Sequence, residues 1–168
     1  MHKRALMMAH IAAVLFGLTG IFGALIQASA ESITFGRALF AVVGLLLILI
    51  WQKKSLLTGV TRMKAGMLLI SGALLALHWV TFFIAVKVGG VAVATLGFAS
   101  FPAFITVIDW LIFKDRITSK EWLLLFLISI GLILVTPEFS FQDSGTIGLL
   151  WGILSGFSFA VLAVTNKR

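Results

Sequence analysis

A chain of 168 residues that is 61% hydrophobic and only 11% charged cannot clothe a soluble domain in polar side chains, so composition places it in the membrane. The complete absence of Cys excludes a disulfide framework, a thiolate metal site and dithiol redox chemistry. A net charge of +7 looks like a nucleic-acid signal, but the positions of the charges make it a topology code, and no nucleic-acid partner is expected.

Six apolar runs follow one another, at 9–28, 33–51, 66–86, 91–113, 121–136 and 146–165. They are continuous, without the in/out alternation of barrel strands, so the predicted fold is an all-α membrane protein with six transmembrane helices. Ala28-Ser29-Ala30 at the end of the first run resembles a cleavage site. That run is nevertheless longer than the ~7 to 15 apolar residues of a signal core and is expected to remain as a helix. The second run encloses Arg37, expected to snorkel toward the outer face or to pair with Glu31.

The third and fourth runs are joined only by Lys87-Val88-Gly89-Gly90, which predicts an antiparallel hairpin. Inside it lie groups that hydrocarbon should exclude: His78 and Pro102 near the middles of the two helices, and Asp109 one turn before the second ends. At spacings of 3 and 4, Thr95, Ala99, Pro102, Thr106 and Asp109 share one face, while Phe98, Phe101, Ile105 and Ile108 share an adjoining one. His78 is read either as a solute-contacting or protonatable group or as a neutral imidazole bonded to a neighbouring helix. Trp79, Phe82 and Phe83 form packing or an aromatic cavity wall. Pro102 has no N–H for the Phe98 carbonyl, which predicts a kink and a freed acceptor. Asp109, about 6 Å from the cytoplasmic exit by helical rise, is expected to pair with Lys114, Arg116 or another loop cation, with proton coupling as the alternative. The predicted substrate cavity is therefore lined by His78, Trp79, Phe82, Thr95, Phe98, Ala99, Pro102 and Thr106, with Arg37 and Asp109 as charged candidates. No catalytic residue, metal or cofactor is expected, because there is one midplane His, no HExxH, and Ser155-Gly156 lacks the Gly two residues before Ser of a nucleophile motif.

Thr118 and Glu121 fit a capping box at the start of the fifth helix, and Pro137 is expected to end it. That helix is short and aliphatic, suited to lipid or a flat partner. Gly17, Gly20 and Gly23 in the first helix, and Gly148, Gly152 and Gly156 in the sixth, predict close helix approach, within one molecule or in a dimer through the sixth helix. Eleven of the thirteen Lys and Arg residues fall on the face that holds both termini; Lys87 is on the other, and Arg37 is inside a span. By the positive-inside rule both termini are cytoplasmic.

The hairpin with His78-Trp79, Gly89-Gly90, Ser100-Phe101-Pro102 and then Asp115-Arg116-Ile117-Thr118 resembles, in order and spacing, the third and fourth helices of the drug/metabolite transporter superfamily, EamA-type. That family usually has Glu where Asp115 stands. Residues 33–46, with Arg37 followed by Ala-Leu-Phe, resemble its second helix, and the likeness extends over 9–136 as one five-helix repeat. The resemblance implies two such repeats in inverted orientation. Residues 1–136 would be the first, and 137–168 an outer loop and the first helix of an incomplete second, since 148–159 resembles the helix that opens it. It further implies a permease or exporter of small organic solutes such as amino acids, metabolites or drugs, working by alternating access in a bacterial inner membrane. The expected partners are the solute, the bilayer, and either a homodimer mate or a second half-repeat chain. The alternative is a six-helix subunit that binds a solute or partner and functions only in an assembly.

Overall fold

A computed structural model of the protein describes residues 2–55, 60–114, 116–135 and 140–167. Asp115, Thr136, Pro137 and Arg168, which enter the expectations above, lie outside the described residues. Those residues form six helices and no strand: α1 (His2–Leu25), α2 (Ala30–Trp51), α3 (Arg62–Phe98), α4 (Phe101–Phe113), α5 (Ser119–Val135) and α6 (Ser144–Thr165). Four of them, α1, α2, α3 and α6, are long and apolar enough to cross a membrane. The chain is an integral membrane protein.

Local chemistry sets most of the helix starts. The Ser29 hydroxyl accepts from the Ser32 N–H at 3.2 Å, Thr61 from the Lys64 N–H at 3.3 Å, and the Asp143 carboxylate from the Thr146 N–H at 2.9 Å. Each satisfies one of the donors that a helix N-terminus leaves unpaired. At α5 the pairing is reciprocal. The Thr118 N–H donates to Glu121 Oε2 at 2.6 Å, and the Glu121 N–H reaches the Thr118 hydroxyl at 3.4 Å.

The hairpin is present, but its boundaries differ from those expected. Helical structure runs through Lys87, Val88 and Gly89, and the reversal is concentrated at Gly90, with φ 83° and ψ 166°. Only glycine adopts such a conformation without steric cost, so one residue does the work of the predicted four-residue connection. Gly90 thus divides α3 into a first limb, 62–89, and a second limb, 91–98. The second correction concerns Pro102. In place of a kink within one long helix, the hydrogen-bond ladder is interrupted at Ala99-Ser100, where the Ser100 N–H turns to the Gly97 carbonyl at 3.2 Å, and the chain restarts as α4 with Pro102 in the first turn. A ring without an N–H is tolerated there, because first-turn N–H groups have no helical partner. The Ser100 hydroxyl donates to the Gly97 carbonyl at 2.7 Å and closes the break.

The best-packed element is α6, which lies along both limbs of the hairpin. Its Gly148, Gly152 and Gly156, four residues apart, share one face. A Cβ on Gly148 would lie 2.4 Å from the Gly89 Cα, one on Gly152 2.9 Å from the Ala94 carbonyl oxygen, and one on Gly156 2.8 Å from the Ser100 hydroxyl. Backbones therefore meet backbones, the close approach that drives helix association where hydrophobic burial offers no gain over lipid. The approach is made within one molecule. On the other flank Gly20 stands against Val91 and Phe82, and Gly23 against Phe83, while Gly17 faces open space. By contrast α5 touches α3 and α4 only lightly and presents its leucines outward.

Candidate solute cavity

Three helix faces line an open cavity of about 610 Å3 between α1, α2 and the first limb of α3. From α1 and the residue that follows it come Thr19, Phe22, Gly23 and Ile26, and from α2 Ile33, Gly36, Arg37, Phe40 and Ala41. Both sets follow the i, i+3, i+4, i+7 spacing of a single helical face. Trp79 and Phe83, one turn apart, form the back wall from α3. The Phe83 ring fits there because Gly23 has no side chain, since a Cβ would lie 2.4 Å from its ring edge. No atom comes within 4 Å of where a Gly36 Cβ would stand, so the space on the α2 side stays clear.

Arg37 is the one charged residue on that lining. It is half-buried, and its guanidinium carbon lies 4.5 Å from the Trp79 ring centre and 5.3 Å from that of Phe83. The expected pairing with Glu31 is not what the structure shows. Six residues along a helix is about 120° around it, so Glu31 and Arg37 point to different sides, and the cation finds aromatic faces on α3. Among the described residues no carboxylate lies within 4.0 Å of Arg37, and the ion pair found there joins Lys167 to Asp109.

His78 lies one residue before Trp79 but faces the other way, toward α6. Its Nδ1 is 2.8 Å from the Ser155 hydroxyl oxygen, and that hydroxyl donates to the His78 carbonyl at 3.0 Å. The network assigns the proton to Nδ1, since Ser155 uses its own proton on the carbonyl. The ring is 8% exposed and touches Phe98 and Phe159, each with centroids at 5.0 Å. This arrangement includes the bond to a neighbouring helix that one of the two readings of His78 expected. Phe82 stands between the two places, edge-on to Phe83 at 5.8 Å and to Phe98 at 5.9 Å.

The other residues expected to line a cavity lie along the hairpin and outside the lining above. Thr95 is exposed, with its hydroxyl on the Val91 carbonyl at 2.7 Å, and Ala99 is exposed. Thr106 donates to the Pro102 carbonyl at 3.0 Å, beside a half-buried Pro102. Phe98 stacks on Phe101 at 5.0 Å, and its carbonyl oxygen would lie 3.0 Å from a Cβ on Gly156. Asp109 pairs with a cation at the end of α6, Lys167, at 2.9 Å, while its Oδ1 is buried without a hydrogen-bond partner among the described residues. Sequence reasoning missed Ser155 and did not single out Lys167 among the loop cations expected for Asp109, because both lie far along the chain. Of the α1 and α2 lining it named only Arg37. The periodic face through Gly36, Arg37 and Phe40 was the available signal.

Comparison with known proteins places the chain in context. Residues 3–136 match the profile described as the EamA-like transporter family. An uncharacterized transporter of Bacillus subtilis (strain 168), YwfM, is 28% identical over 159 residues, covering 94% of this chain and 53% of the relative. The chain thus spans about half the length of that relative. No solved structure matches.

Proposed function

The chain belongs to the EamA-like transporter family, and from that premise we propose that it carries a small organic solute across the membrane, with the α1–α2–α3 cavity as the wall that meets the solute. The cavity carries this reading. Its volume of about 610 Å3 fits a metabolite-sized solute, and its apolar lining with few polar groups is the usual composition of such sites. Residues 1–136 act as one five-helix repeat, and α6 opens a second repeat of opposite orientation. Transport proceeds by alternating access, as the repeats rock against each other around the site. The other wall comes from a further repeat, whether in a second copy, in a partner chain or in a longer form of this chain. Both termini face the cytoplasm, in keeping with the charge distribution, and the membrane is a bacterial inner membrane. The activity is transport, not catalysis. His78, Thr95, Phe98, Ala99, Pro102, Thr106 and Asp109 belong to the moving hairpin, while Arg37 and Trp79 face the solute, with the buried Phe83 behind them and Phe82 coupling the two.

The half-length match favours one second reading, in which this six-helix unit binds the solute and transports it only within an assembly. Vesicles holding the chain, loaded with a panel of amino acids, nucleosides and aromatic metabolites, test both. Flux that Gly36→Trp abolishes supports the first, binding without flux supports the second, and neither binding nor flux refutes both.

A further inference from the structure

The guanidinium of Arg37 is used on one side only. Stacking over Trp79 and Phe83 engages the face of its plane, while its five N–H donors project from the edge. Among the described residues none of those donors reaches a hydrogen-bond acceptor, and no carboxylate stands within 4.0 Å. A cation inside a membrane helix, roughly 10 Å along α2 from its start, is costly and normally has a counter-charge. The neighbouring lining leaves room for one. Gly36 precedes Arg37 on the same face with open space where a side chain would be, and Ser32 adds a hydroxyl one turn and a residue earlier.

We propose that the α1–α2–α3 cavity binds an organic anion, with its carboxylate on the free edge of Arg37 and its apolar body against Trp79 and Phe22. This inference rests on the reading of the cavity as the solute's place and adds the solute's chemical class. A carboxylate satisfies two guanidinium donors at once in the planar fork that Arg presents, which a single hydroxyl or an amine does not. The aromatic faces hold the guanidinium in place before the anion arrives, so little side-chain freedom is lost on binding. A cationic solute is disfavoured by the same charge. The phosphate of an anionic lipid shares the recognised chemistry, and only a comparison of bilayers separates it from a free carboxylate.

The test uses the full chain in nanodiscs of phosphatidylcholine, with 3-phenylpropionate and its uncharged amide, 3-phenylpropionamide, as paired probes titrated by calorimetry. The expected result is that the carboxylate binds at least about tenfold tighter than the amide, as a charge-assisted pair implies. Arg37→Gln removes that preference while amide binding persists, which also reports that the variant is folded, and Arg37→Lys keeps part of it. Equal binding of the two probes to the unsubstituted chain overturns the inference but leaves the cavity as a solute site. A preference that survives Arg37→Gln overturns it as well. Failure of both probes to bind sinks the inference together with the cavity reading. Loss of carboxylate binding when phosphatidylglycerol is added to the bilayer overturns the free-solute assignment in favour of a lipid phosphate.

Discussion

His78 and Ser155 hold each other across the contact between α3 and α6, each side chain bonded to the other residue: imidazole Nδ1 to hydroxyl at 2.8 Å, and hydroxyl to the His78 carbonyl at 3.0 Å. Both residues are buried, so removing one partner leaves the other without water to replace it. Ser155→Ala removes the hydroxyl's bonds to Nδ1 and to the His78 carbonyl but keeps the Ser155 carbonyl 3.2 Å from Nδ1, so it is expected to destabilise the protein by about 1 kcal/mol, the net worth of a lost hydrogen bond. Ser158→Ala, whose hydroxyl bonds only within its own helix, at Leu154 and Ser155, is expected to cost less. Denaturant titration in detergent, followed by Trp fluorescence, compares the two. Equal losses would mean that the inter-helix pair contributes nothing specific.

The glycine face of α6 predicts a sharper effect. Gly152→Leu places side-chain atoms where the Ala94 carbonyl and the Gly97 Cα already stand, and should destabilise the α3–α6 contact by more than the ~1 to 3 kcal/mol of an ordinary overpacked core. Gly72→Ala, at a site with nothing within 4 Å, should be neutral or slightly stabilising, because Ala is the better helix former. Thermal unfolding of the two variants in the same detergent distinguishes them. A stable Gly152→Leu protein would show that α6 is not seated between the limbs.

Because the chain has no native Cys, its helix order can be read by cross-linking. Ser71 donates to Asn166 at 2.8 Å, near the start of the first limb and just past the end of α6. The pair Ser71→Cys with Asn166→Cys should therefore form a disulfide under mild oxidant. A pair of Ser71→Cys with Ser144→Cys, at the opposite end of α6, should not. The reverse pattern would turn α6 around.

The ion pair of Asp109 with Lys167 should matter little to stability. The Asp109 side chain is only 17% exposed, but Lys167 is 53% exposed and keeps its ammonium in solvent, and pairs with such an exposed partner contribute roughly 0 to 1 kcal/mol and weaken with salt. Asp109→Asn is expected to shift the melting temperature only slightly, with the shift smaller still in high salt. A large, salt-independent loss would mean that the buried Oδ1 has a partner beyond those described.

Much of the architecture was legible in the sequence because the bilayer leaves so few options. Apolar run length located the six helices to within a few residues at most ends, and the spacing of Gly148, Gly152 and Gly156 marked a packing face. The interruption at Ala99-Ser100 was not legible. Proline is the stronger local signal, and nothing nearby announces that the Ser100 hydroxyl will take the Gly97 carbonyl and move the break ahead of Pro102. Arg37 stood out as a charge inside a span, but its setting depends on Trp79 and Phe83, and which faces of α2 and α3 meet is a tertiary fact. The same holds for His78, whose bond to a neighbouring helix is one of two readings open in the sequence and finds its partner only when Ser155 is brought beside it from far along the chain.

The seat of α6 between the hairpin limbs also sets a timetable for assembly. The limbs leave the ribosome first, and at ~5–20 residues per second the helix that fills their groove follows only several seconds later. Throughout that interval the carbonyl of Ala94 and the backbone at Gly89 and Gly97 face lipid or whatever neighbour is at hand. A nascent hairpin is thus open to capture by the small-faced sixth helix of a sister chain, and the pace of synthesis decides whether the groove closes on its own α6 or on another's.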